Sequence, residues 1–173
     1  LSTLYAAGSM SGLYRTTDDG ATWTNLLPPT SVVGEMAIGQ NGSATALYLT
    51  EAFATGLKTL DLAGTWHDSE VATFGGPILS LDGTLFVGSR VGLFKSADNG
   101  LSWVHASSGM NGITPRDFVS TPEYFFAATD VGIFRAARGQ NVWGLSGEGL
   151  PEDFMASSLA VDPIDAAIVY AGA

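Results

Sequence analysis

Thr16-Thr17-Asp18-Asp19-Gly20-Ala21-Thr22-Trp23 returns as Ser96-Ala97-Asp98-Asn99-Gly100-Leu101-Ser102-Trp103. Two degenerate copies complete the series: Thr59-Leu60-Asp61-Leu62-Ala63-Gly64-Thr65-Trp66 and Ala136-Ala137-Arg138-Gly139-Gln140-Asn141-Val142-Trp143. Together they use all 4 Trp residues of the chain, at intervals of 43, 37 and 40 residues. Each octet sits between short apolar runs, and its Asp, Gly and hydroxyl residues are turn formers.

The runs between the turns also repeat. Leu4-Tyr5-Ala6-Ala7, Leu47-Tyr48-Leu49-Thr50, Leu85-Phe86-Val87-Gly88 and Phe125-Phe126-Ala127-Ala128 form one series. Gly12-Leu13-Tyr14-Arg15, Gly56-Leu57-Lys58, Gly92-Leu93-Phe94-Lys95 and Gly132-Ile133-Phe134-Arg135 form a second, and strands led by Trp23, Trp66, Trp103 and Trp143 a third. β-Branched and aromatic residues in runs bounded by Gly predict strands, and no helical period longer than one turn is present. A period near 40 residues built from short strands is that of propeller blades. The expected fold is all-β, a propeller of four-stranded antiparallel blades. The repeats fall at about 1–30, 31–74, 75–110 and 111–150, with 151–173 starting a further blade.

The strand count reads as three strands, two full blades of four, a third blade's worth shared across the seams, and two strands over. Both ends then supply the same strand type, so closure is expected to need the remainder of a larger propeller or a second chain. The chain opens at Leu1 without an initiator Met or a signal-like segment, which reads as a processed product or a piece of a longer protein.

Composition narrows the partners. The 173 residues are 46% hydrophobic and 14% charged, as a folded chain requires. A net charge of −10 with no basic run disfavours nucleic acid and anionic membrane surfaces. No apolar run reaches the ~18 residues of a membrane span. The absence of Cys excludes disulfides and thiolate chemistry. The 2 His residues, His67 and His105, closely follow Trp residues in equivalent strands, and no metal-ligand spacing or cofactor motif accompanies them. An acidic, Lys-poor β chain fits the cell exterior or envelope.

The pattern Ser/Thr-x-Asp-x-Gly-x-Thr/Ser-Trp resembles the Asp-box, or BNR repeat, of sialidase-like propellers. The segment from Gly149-Leu150-Pro151 through Val161-Asp162-Pro163 to Val169-Tyr170-Ala171-Gly172 is similar to the inter-blade link of bacterial BNR proteins. The resemblance makes Thr16, Asp18, Gly20, Trp23, Thr59, Asp61, Trp66, Ser96, Asp98, Gly100, Trp103 and Trp143 structural, and places the box away from the ligand face. Chemically, Asp18 and Asp98 suit an Asx turn onto N–H groups two residues on, and Gly20 and Gly100 a positive φ. Trp23 and Trp103 are expected to bury their rings between blades. Ala63 replaces Gly and Arg138 replaces Asp in the degenerate boxes.

Ligands of such a fold meet the loops between second and third strands: Ser9 and Met10, Glu51, Ser89 and Arg90, Thr129 and Asp130. Arg90 and Asp130 share a column of adjacent blades and are candidates for an inter-blade ion pair or a ligand contact; Glu51 and Arg116 join them on that face. Sialidase chemistry needs several arginines on one carboxylate. Arg15, Lys58, Lys95 and Arg135 fill one repeat column, Arg138 lies in a box, and only Arg90 and Arg116 remain. The Arg-Ile-Pro signature of sialidases is also missing. Ala128-Thr129-Asp130-Val131-Gly132-Ile133-Phe134-Arg135 resembles the catalytic-Asp loop of xyloglucan-type endoglucanases. That would make Asp130 catalytic, with Glu51, Asp117 or Glu148 as the second carboxylate. The leading expectation is a non-catalytic scaffold for a glycan or protein partner; the alternative is a glycoside hydrolase for which this segment forms part of the cleft.

Overall fold

The computed structural model describes residues 3–8, 10–41, 44–52, 56–61, 64–69, 71, 73 and 75–173. Ser9, Leu62 and Ala63, singled out above, lie outside the described residues. The chain forms five antiparallel sheets in succession. The first has three strands, β1 (Leu4–Gly8), β2 (Gly12–Thr16) and β3 (Thr24–Leu27). The second has β4 (Val33–Asn41), β5 (Ala44–Glu51), β6 (Leu57–Leu60) and β7 (Trp66–Ser69). The third has β8 (Ile78–Leu81), β9 (Thr84–Ser89), β10 (Gly92–Ser96) and β11 (Val104–His105). The fourth has β12 (Pro115–Ser120), β13 (Tyr124–Thr129), β14 (Gly132–Ala137) and β15 (Gly144–Leu145). The last has β16 (Ser158–Val161) and β17 (Val169–Gly172).

Three complete sheets of four therefore replace the two that the strand count gives. The third owes its completion to Asp82-Gly83, both at positive φ (49° and 75°), which close β8 onto β9 as a two-residue hairpin. Apolar runs alone do not reveal that joint.

The core lies between sheets, not within one. Leu13 packs with Leu47, Leu49 and Leu60; Tyr48 and Leu57 with Leu85 and Val87; Leu93 and Met110 with Phe118 and Trp143; Ala128 and Ile133 with Ala156 and Leu159. A second strand flanked by sheets on both faces must be apolar in both directions, which is why Leu85-Phe86-Val87 does not alternate. Each buried Leu contributes about 1.5–3 kcal/mol.

The Trp-ended turns are built alike, but not as the Asx reading has it. The Thr16 hydroxyl accepts the N–H groups of Asp18 (3.3 Å) and Gly20 (3.0 Å) and donates to Asp18 Oδ1 (2.7 Å). The Asp18 carboxylate instead reaches four residues on, to the N–H (2.9 Å) and hydroxyl (2.6 Å) of Thr22. Ser96, Asp98, Gly100 and Ser102 repeat the set. The short hydroxyl side chain sits closer to the nearby N–H groups, so it takes them and frees the carboxylate to bridge the turn. Gly20 and Gly100 have φ of 94° and 88°, and Asp19 and Asn99 before them are also left-handed. In the third copy Asp61 still accepts the Thr65 N–H (2.8 Å), and the positive φ moves to Gly64.

Each Trp docks on the sheet that precedes its own. Trp103 Nε1 donates to Ser69 Oγ (2.7 Å), and Trp143, 5% exposed, donates to the Ala106 carbonyl (2.7 Å). Trp23 departs from the expected burial: it is 44% exposed.

Candidate functional site

Antiparallel hairpins send the Trp-ended turns to one end of every sheet and the β1–β2, β5–β6, β9–β10 and β13–β14 connections to the other. Two of these connections are two-residue turns, Arg90-Val91 and Asp130-Val131. Each is locked by a buried hydroxyl. Ser89 Oγ donates to the Gly92 carbonyl (3.0 Å) and accepts the Val91 N–H (3.1 Å); Thr129 Oγ1 does the same for Gly132 (2.7 Å) and Val131 (3.2 Å). Arg90 and Asp130 are thus exposed at equivalent corners of neighbouring sheets. Beside them Met10 (74% exposed), Val91 (56%) and Val131 (56%) stand at the turn tips.

The other sequence candidates separate. Glu51 ends β5 with its carboxylate 3.8 Å from Lys58 Nζ, and Lys58 also binds Asp68 at 2.6 Å. The Asp68 hydrogen bond, chiefly, raises the Lys58 pKa. Glu51 so belongs to an ion cluster of its own sheet. Arg116 is exposed at the β-bulge that opens β12, beside Asp117. Glu148 lines a groove of about 440 Å³ with Val131, Leu145, Leu150 and Phe154.

Asp117 does not face Asp130. Its Oδ1 accepts the Phe118 N–H and its Oδ2 the Leu159 N–H of β16, both at 2.7 Å, so the carboxylate joins the fourth sheet to the fifth. Its electrostatic neighbour is Glu35, a residue the sequence reading did not select. Partial burial, first, and the Asp117 charge, second, push the Glu35 carboxyl above its ordinary pKa. The registers Met36↔Leu49, Ile78↔Val87 and Phe118↔Ala127 put Glu35, Pro77 and Asp117 in one row at the start of the inner strands. Pro77 offers no charge between the two acids. The signal available in sequence was the row itself: Glu35 precedes Met36 as Asp117 precedes Phe118.

Of the two histidines, His67 sits at the opposite, Trp-ended side, while His105 lies across from Phe94 in β11 with its ring near Gly92. His67 Nε2 is 2.9 Å from Asp61 Oδ2, and His105 lies edge-on to Phe94 with Nδ1 3.0 Å from Ser107 Oγ. Among the described residues no three His, Asp or Glu side chains gather as a metal site would require.

No protein-family model matches the chain, and no curated protein does. Solved structures do. YCF48 bound to a D1 peptide is 16% identical with a TM-score of 0.62, over 92% of this chain and 55% of that one. The extracellular domain of a hybrid two-component system from B. thetaiotaomicron is 13% identical, TM-score 0.73, over 98% and 24%. The GH74 xyloglucanase from Xanthomonas campestris is 17% identical, TM-score 0.64, over 90% and 30%. The fold is a β-propeller built of four-stranded antiparallel blades. This chain spans between about a quarter and about half of the length of these similar proteins.

Proposed function

We propose that the chain is a stretch of a larger Asp-box propeller that binds a protein partner, without catalysis, on the face carrying Arg90 and Asp130. The observation that supports this reading is the row of exposed apolar tips, Met10, Val91 and Val131, the last two on hydroxyl-locked turns flanked by charges of both signs. An isolated exposed Val needs no explanation, whereas apolar tips at equivalent corners of the first, third and fourth sheets make a contact surface. The turns cost a partner little ordering entropy, because they are already fixed. A glycan face calls for exposed aromatic platforms. Among the described residues the exposed rings, Trp23 and Tyr170, lie after a Trp-ended turn and within β17. The peptide-bound YCF48 among the similar structures favours the same reading, and the acidic, Lys-poor composition and an extracellular domain among them favour a place outside the cell or in its envelope.

One observation favours a hydrolase as the second reading. Glu35, raised in pKa, and Asp117, held by two N–H groups, place two carboxyl groups in one row, the residue type that glycoside hydrolysis uses in pairs. The two readings part on one experiment, in which the protein is tested on peptide and glycan arrays and on xyloglucan. Peptide binding lost in Val131→Asp, with no turnover, supports the binding reading. Release of reducing ends that disappears in Asp117→Asn or Asp130→Asn overturns it.

A further inference from the structure

The charge pattern of the Trp-ended side breaks at one sheet junction. Where the first two sheets meet, a pocket of about 260 Å³ is lined by Arg15, the cation that precedes one turn, and by Asp61, the acid of the next. Opposite charges face each other there. Where the third and fourth sheets meet, the equivalent pocket of about 240 Å³ is lined by Lys95 and Arg138, since Arg138 occupies the acid's place. In a chain with 7 basic residues against 17 acidic ones, two of the cations line one pocket.

Their surroundings are fitted to an anion. Lys95 Nζ is anchored by Asn141 Oδ1 at 2.9 Å across the junction, and the Arg138 guanidinium lies 5.6 Å from the Phe125 ring centre. Phe86 and Phe125, centroids 4.7 Å apart, line the same pocket, while Thr84 and Gln140 add hydrogen-bonding groups. The counter-charge is partial. Asp82, in the β8–β9 turn, accepts from Arg138 Nη1 at 3.2 Å, but its side chain is 76% exposed. An ion pair so open to water is worth little. Arg138 Nε is buried and has no hydrogen-bond partner, so Asp82, which engages only Nη1, leaves guanidinium hydrogen-bonding capacity unused.

We propose that this pocket between the third and fourth sheets binds a small oxyanion, with Lys95 and Arg138 as its ligands and Asp82 as an internal competitor. It is independent of the partner face, which lies at the other end of the sheets. Carboxylate, sulfate and phosphate share the chemistry the two cations recognise: compact negative oxygens that accept charge-assisted hydrogen bonds.

Titration of the protein with acetate, sulfate and phosphate, each against chloride at matched ionic strength, tests it by amide and guanidinium NMR shifts. Saturable shifts confined to residues 82–84, 95 and 138–141 are expected, and the anion that saturates lowest tells a carboxylate ligand from a tetrahedral one. Lys95→Gln should weaken binding about tenfold, the worth of one charge-assisted hydrogen bond. Asp82→Asn should tighten it, the opposite of what loss of a structural ion pair would do. Arg90→Gln, at the far end, should leave it unchanged. An absence of saturable shifts for all three anions overturns the proposal, as does an affinity that Lys95→Gln and Asp82→Asn both leave unaltered.

Discussion

Ser96 shows how one hydroxyl holds a turn. It is 1% exposed, accepts the N–H groups of Asp98 and Gly100, and donates to the Asp98 carboxylate. Ser96→Ala leaves those donors unpaired in a buried place and should cost about 1–3 kcal/mol in urea denaturation. Ser102→Ala, at the exposed end of the same network, should cost less. The Asp98 carboxyl is held at about 2, chiefly by the Ser102 hydroxyl and N–H and then by Ser96. A lowered acid stabilises the fold above its unfolded pKa, near 4, and that contribution fades as pH falls toward 2. Asp98→Asn should therefore flatten the acid limb of a stability curve followed by circular dichroism between pH 4 and pH 2. The octet's residues were legible in sequence because turn chemistry is local. The division of labour between hydroxyl and carboxylate was not, since it depends on which oxygen the backbone brings nearest.

At the scale of elements, the decisive contact is a Trp ring laid on the preceding sheet. Trp143 is buried and bonded to the Ala106 carbonyl, while Trp23 is 44% exposed. Trp143→Phe should cost about 1–3 kcal/mol through the lost hydrogen bond and the space left behind. Trp23→Phe should stay within about 0.5 kcal/mol, as surface substitutions do; chemical denaturation of the two variants compares them directly. Gly109 tightens the same junction. Its φ is 88°, and a Cβ would meet the Trp143 carbonyl oxygen at 2.2 Å, so Gly109→Ala should destabilise more than a surface Gly→Ala such as at Gly139. Strand types and order were readable from the repeat. The joint within the third sheet was not, because its inner strand is only the four residues Ile78–Leu81 and its turn is the Asp82-Gly83 hairpin.

Across the whole molecule, the inner strands bring together residues that no local window pairs. Glu35 and Asp117 lie on the second and fourth sheets, far apart in sequence, and meet electrostatically only because sheets stack in order with their registers matched. That is why the sequence pointed to Asp117 but gave it Asp130 as its partner. Burial and the Asp117 charge raise the Glu35 carboxyl, so the folded state holds its proton more tightly than the unfolded chain does. The fold is accordingly undisturbed by Glu35 below the unfolded pKa and loses stability as pH rises through the folded one. Glu35→Gln removes the charge that causes the loss. It should match the parent at pH 4 and exceed it at pH 7, by about 1 kcal/mol or less, because water still reaches the carboxylate and screens it. Asp117→Asn differs in kind: it relieves Glu35 but also weakens the acceptor of the Phe118 and Leu159 N–H groups, and should destabilise at both pH values. Urea midpoints of the two variants at pH 4 and pH 7 separate repulsion along the row from the joint between the last two sheets. Equal shifts of Glu35→Gln at both pH values would mean that neither burial nor the Asp117 charge raises the Glu35 carboxyl in the fold.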